Sequence, residues 1–222
     1  MRHSYFYLKF VFCLSYFLAV SAYAQTDYTF YVTDNKGLPL SDVIIEPDIA
    51  AVTRAPADVA IIDQIDKQFI PQQILIETGQ LVDFPNSDNI RHHVYSFSKA
   101  KVFELKLYAD TPENPIQFPE HGVVVVGCNI HDSMIGYIFV SKSTQSVMTG
   151  ERGDVSIQSE QAIKQINVWH ANNAAGPETL MNIELNALKQ DENGRYLIKI
   201  DIIPPATRNS FEDTFGGLSQ QD

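Results

Sequence analysis

The stretch that most constrains this chain runs from Val123 to Val140. Four consecutive valines and Gly127 lead into Cys128-Asn129-Ile130-His131-Asp132-Ser133-Met134, and a second apolar run follows through Gly136-Tyr137-Ile138-Phe139-Val140. Both apolar runs have the length and the β-branched and aromatic content of buried strands. Between them a short loop carries a thiol, an imidazole and a thioether at the spacing Cys-x2-His-x2-Met. Whatever this chain folds into has to bury two adjacent strands and present that loop at their end.

Thiolate and thioether are soft ligands that select copper in its reduced state, and imidazole suits both oxidation states. Two imidazoles, one thiolate and a weak axial thioether make a copper site suited to electron transfer. One imidazole is therefore wanting from the loop, and a loop of this size cannot wrap a metal on every side. The candidates lie upstream, where Val82-Asp83-Phe84 and Val94-Tyr95-Ser96-Phe97 read as strands around a polar loop that ends in the adjacent pair His92 and His93.

In these two segments the chain resembles the cupredoxins, the small blue copper proteins, and most of all their amicyanin and plastocyanin branch. In that family a strand ends at an Asn, and the first copper histidine follows six positions later; Asn86 and His92 have that offset. The Cys-x2-His-x2-Met loop is the amicyanin spacing. The resemblance covers about residues 57–141 and is strongest to the bacterial secreted plastocyanin-like proteins often labelled methylamine utilization proteins. It implies one copper ion held by His92, Cys128, His131 and Met134, with Asn86, His93 and Asn129 around the ligands. A one-residue register slip would substitute His93 for His92. Four positions depart from the family pattern: His93 follows the ligand in place of Asn, Arg91 and Asp132 stand where many relatives carry Pro, and Gly127 replaces the aromatic or His that often precedes the Cys.

Residues 1–24 read as a secretory signal peptide. Phe10 to Val20 is an apolar core too short to span a bilayer, and Ala22-Tyr23-Ala24 is a cleavage site of the A-x-A type. Of the two cysteines, Cys13 and Cys128, cleavage leaves only Cys128, so no internal disulfide can form. A lone thiol in an oxidising compartment calls for a reason, and a metal supplies one. Arg2 and Lys9 leave with the signal and no acid does, which takes the formal charge from −11 to −13. That surface disfavours nucleic acid and anionic membranes as partners and favours a basic docking face.

The 198 residues left after position 24 exceed the needs of one cupredoxin. Tyr28 to Val32 alternates, Asp34-Asn35-Lys36-Gly37 turns, and Val43-Ile44-Ile45 resumes a strand. That start, and the short strands from 146 to 202, resemble the prealbumin-like, carboxypeptidase-regulatory β-sandwich. The expected architecture is thus all-β: a Greek-key cupredoxin sandwich at 57–141 and a smaller discontinuous β-sandwich from 26–50 and 143–203. Residues 47–57 read as a linker, 110–118 as a loop and 204–222 as a mobile tail. No segment reads as a membrane span.

A Cys-His nucleophile would need its base and an orienting third group, yet this loop spends its last position on Met; zinc rarely recruits a thioether. The expectation is a periplasmic electron carrier and not an enzyme, meeting a redox partner such as a cytochrome or dehydrogenase through a small, transient contact. The same ligands would also serve a copper-binding or copper-delivery protein without rapid electron transfer. A metal-free adhesion or assembly module is the third reading.

Overall fold

The computed structural model describes residues 25–50 and 58–203. The expected signal peptide at 1–24, the expected tail at 204–222 and most of the expected linker at 47–57 lie outside the described residues. In chain order the strands are β1 (Thr26–Asp34), β2 (Ile44–Pro47), β3 (Ala60–Ile61), β4 (Asp63–Ile65), β5 (Gln68–Ile70), β6 (Gln73–Glu77), β7 (Leu81–Asp83), β8 (His92–Ser96) and β9 (Phe103–Tyr108). They continue with β10 (Ile116–Gln117), β11 (Gly122–Cys128), β12 (His131–Ser141), β13 (Val147–Met148), β14 (Asp154–Ser159), β15 (Gln165–Trp169), β16 (Met181–Glu184) and β17 (Tyr196–Ile200). Among the described residues there is no α-helix, only a short 3-10 turn at Leu185–Ala187, so the fold is all-β. One expected loop contains a strand: Ile116 and Gln117 pair with Val82 and Leu81, because the prolines flanking them need not donate to that ladder.

The sheets stack in layers. A sheet ordered β14-β1-β17 and a sheet ordered β13-β2-β15-β16 enclose a core of Phe30, Val32, Ile45, Ile157, Ile166, Val168 and Ile198. A five-stranded sheet, β6-β12-β11-β8-β9, and the smaller sheets β10-β7-β3 and β4-β5 enclose a second core that holds Phe69, Phe84, Val94, Val126, Cys128, Met134 and Ile138. β1 pairs with β14 and β17 and belongs to a different sheet from His92.

Between the two cores lies a third apolar contact. Ile44 and Trp169, on the face of β2 and β15 turned away from their own core, pack on Val123 and Phe139 of β11 and β12. Every residue of β2 is buried, which is what a strand covered on both faces requires. Its one charge, Glu46, is fully buried and accepts four hydrogen bonds: from the Ser141 hydroxyl and the Lys142 backbone N–H at Oε1, both 2.8 Å, and from His121 Nε2 and Asn167 Nδ2 at Oε2, both 2.9 Å. Burial alone would push this carboxyl up. The hydrogen bonds from His121 and Asn167, the charge of His121 and the bond from Ser141 outweigh it and hold Glu46 below the usual carboxylate range.

Gly153 shows how tightly the outer layer closes. It adopts a φ of +70°, and a Cβ there would lie 2.5 Å from the Val32 carbonyl oxygen and 3.0 Å from the Leu40 nitrogen. Both neighbours are backbone and cannot step aside. Gly153→Ala is expected to cost about 2–4 kcal/mol through left-handed strain and overpacking, seen as a fall of roughly 10 °C in the calorimetric midpoint. An unchanged midpoint would contradict this packing.

Candidate metal centre

The site sits at one end of the second core, where β8, β11 and β12 meet. Alternation along β8 turns His92, Val94 and Ser96 inward and His93 and Tyr95 outward. β11 reaches the same place with Cys128, which pairs with Val94, while Gly127 pairs with Tyr95. The segment from Cys128 to Met134 is tighter than the expected loop. Asn129 and Ile130 form a two-residue turn, β12 begins at His131, and Cys128 faces His131 across the ladder. Gly127 faces Ile135, so Asp132, Ser133 and Met134 form a bulge in β12. The hairpin therefore puts residues three apart in sequence side by side.

The ligand atoms of His92, Cys128 and His131 lie within 4.8 Å of one another. Cys128 Sγ is 3.7 Å from His92 Nδ1 and 3.5 Å from His131 Nδ1, and the two imidazole rings are 4.9 Å apart at an angle of 57°. With two edges of 3.7 and 3.5 Å and the third no longer than 4.8 Å, a common centre lies roughly 2–2.5 Å from all three atoms, in the range of metal–imidazole and metal–thiolate bonds. One soft thiol between two imidazole nitrogens is a donor set that fits copper. His92 is fully buried and Cys128 nearly so, whereas His131 is half-buried. Met134 is buried in the same apolar cluster as Cys128.

Burial, and after it the neighbouring His92 and Lys67, hold the His131 imidazole below the usual histidine range against the opposing pull of Asp88. At neutral pH its ring is therefore uncharged and keeps a lone pair for a metal. Behind the site the Tyr108 hydroxyl donates to the Phe84 carbonyl at 2.7 Å and receives Gln64 Nε2. Burial pushes that phenol far up, so it remains protonated.

The surrounding residues divide. Asn86 is buried and shapes the loop before His92: its Nδ2 donates to the carbonyls of Ile90 and Tyr108 at 2.8 and 3.1 Å, and its Oδ1 accepts the Asp88 N–H at 3.0 Å. His93 points to the opposite face of the sheet, where Nε2 meets Glu104 at 2.8 Å and the ring lies 5.8 Å from Tyr95. It thus stands apart from the cluster, and the register is the one that turns His92 inward. Asn129 is exposed at the tip of the turn and makes no side-chain hydrogen bond among the described residues. Gly127 has a cause in its neighbour, since a Cβ there would lie 3.2 Å from Cζ and from Oη of Tyr95. β8 supplies the aromatic ring that covers this position.

Asp88 is the residue that sequence reasoning missed. Its Oδ2 lies 2.7 Å from His92 Nε2, and its two oxygens also accept the backbone N–H groups of Asp66 (2.6 Å) and Lys67 (2.9 Å). Burial raises its carboxyl, but the Lys67 N–H, His92 and the Asp66 N–H hold it below the usual range. The available signal was its place four residues before His92, in a run that reads only as a turn.

No protein-family model matches the chain, and no curated protein matches it. Solved structures similar to it include a purple cupredoxin from Nitrosopumilus maritimus, at 23% identity over 37% of this chain and 99% of that one, with a TM-score of 0.33. Amicyanin from Paracoccus versutus matches at 20% identity over 44% of this chain and 97% of its own, with a TM-score of 0.33. A Cu-containing nitrite reductase from Thermus scotoductus SA-01 matches at 20% identity, covering 49% of this chain and 28% of the reductase, with a TM-score of 0.36.

Proposed function

We propose that this protein is an exported, periplasmic electron carrier in which His92, Cys128, His131 and the thioether of Met134 would hold one copper ion. The observation that carries the reading is the convergence of two imidazole Nδ1 atoms on one buried thiol, at 3.7 and 3.5 Å. Copper bound there supplies one-electron exchange between its cuprous and cupric states. The protein's part is to keep that geometry fixed. His92 and Cys128 stand on paired strands inside an apolar core, which excludes water and leaves the donors little room to rearrange. His131 provides the half-buried edge, and the exposed Ile130 beside it offers apolar surface for a small contact.

On this reading the chain transfers electrons and catalyses no reaction of its own. Its partner is a redox protein such as a cytochrome or dehydrogenase with a basic face, matching the formal charge of −11. Among the described residues no helix is long and apolar enough to cross a membrane. We also propose that residues 26–50 and 143–203 form one β-sandwich domain into which residues 57–141 are inserted. The pairing of β1 with β14 and β17, around a core of their own, supports this.

The test is the visible absorption and electron paramagnetic resonance of the protein after addition of cupric copper, beside Cys128→Ser. An intense thiolate-to-copper band, absent from the variant, is the expected result. Stoichiometric copper without the band would replace the carrier by a copper-delivery protein; no bound copper would overturn the assignment of a metal centre.

A further inference from the structure

The contacts of Asp88 reach two parts of the fold at once. One is the turn between β4 and β5, where Asp66 and Lys67 adopt φ values of +52° and +57°. A left-handed conformation is strained for a residue other than glycine, and the turn persists because the Asp88 carboxylate accepts both of its N–H groups, at 2.6 and 2.9 Å. The other is His92, whose ring is completely buried, with Nδ1 facing Cys128 Sγ and Nε2 facing Asp88 Oδ2. A carboxylate can only accept, so the neutral ring that meets it must carry its proton on Nε2. Its other nitrogen is then bare toward Cys128.

We propose that Asp88 is a positioning residue of the metal centre: anchored on the β4–β5 turn, it fixes His92 in the Nε2–H tautomer and thereby presents the Nδ1 lone pair to the ion. This rests on the copper reading for the identity of the metal, while the tautomer belongs to the protein alone. The turn matters because it leaves the carboxylate no freedom. Its oxygens are already committed to two backbone donors, so the side chain cannot swing away from the ring.

Asp88→Asn separates shape from chemistry. An amide has one oxygen: with it kept on the Asp66 N–H, the NH2 takes the place of Oδ2, gives up the Lys67 N–H and donates to His92 Nε2. The imidazole proton is then driven to Nδ1, the atom that has to bind metal, as happens whenever an orienting carboxylate behind a histidine becomes an amide. Nitrogen-15 spectra of the His92 ring in the metal-free protein at about pH 8, above the ordinary histidine pKa, give the first readout. Nε2 protonated in wild type and Nδ1 protonated in Asp88→Asn is expected. Nδ1 protonated in wild type overturns the proposal without recourse to any variant. Cupric affinity is the second readout, expected to fall 10- to 100-fold in Asp88→Asn with the circular dichroism of the fold unchanged. An unaltered affinity with an unaltered tautomer would also overturn it. Wild type with the Nε2–H tautomer but no copper affinity would sink the copper reading and leave the positioning role standing.

Discussion

Trp169→Ala is expected to lower stability by about 3–5 kcal/mol, the range for emptying a fully buried large aromatic. Trp169 is completely buried, its rings lie 5.9 and 5.8 Å from those of Tyr137 and Phe139, and its Nε1 donates to the Pro177 carbonyl at 2.6 Å. These contacts join the sheet of β2 and β15 to the outer face of the sheet that bears Cys128. Truncation therefore weakens the seam while leaving both cores intact. Two calorimetric transitions in place of one are the expected signature, since each core holds its own complement of buried aliphatic and aromatic residues. Trp169 is the only tryptophan, so heat capacity or circular dichroism has to report the change. A loss below about 1 kcal/mol would mean that the seam contributes little to stability.

The second large effect belongs to Glu46. Glu46→Ala leaves Asn167 Nδ2, His121 Nε2 and the Lys142 N–H without their acceptor, while the Ser141 hydroxyl can turn to the Ser143 carbonyl; a cost of about 3–5 kcal/mol is expected, as for removal of one member of a buried charged network. Glu46→Gln keeps the shape but turns an NH2 toward groups that are themselves donors, so it recovers only part of that loss. The two also differ in pH dependence. The folded carboxyl is held below its ordinary value of 4.5, so its contribution is fully present above that pH. It is lost as the pH falls through the lower value of the folded protein. Urea midpoints measured from neutral pH down through 4.5 should fall more steeply for wild type than for Glu46→Gln. Parallel curves would show that the carboxylate carries no such linkage.

The sequence made the Cys128–His131 pair legible because both residues sit on one tight hairpin, and strands as apolar as β11 and β12 announce themselves. His92 was harder. It arrives from β8, and only its offset from Asn86 in a resembling family singled it out from His93, which the pleat turns to the other face. Asp88 and Glu46 were illegible for a shared reason. A carboxylate in Asn-Ser-Asp-Asn looks like a turn former, and one in Ile-Ile-Glu-Pro looks like the wet position of a strand. What makes Glu46 a buried anchor is His121 and Asn167, 75 and 121 residues away. The adjacent Ile44 and Ile45 were the local sign that β2 is covered on both faces.

The pairing of β2 with β13 bears on the order in which the molecule assembles. Val147 lies beside Ile45 and Met148 beside Ile44, so the chain that leaves β2 to build the sheets bearing His92 and Cys128 returns to its point of departure. The outer strands must meet across long separations, as Thr29 and Ser156 do over 127 positions. Closing so long a loop in an unstructured chain costs entropy that grows with its length. Once residues 60–141 have condensed, their two ends already lie together and most of that span no longer has to be closed. The half with Cys128 and His92 is thus expected to form first and to bring together the strands around Trp169 and Glu46.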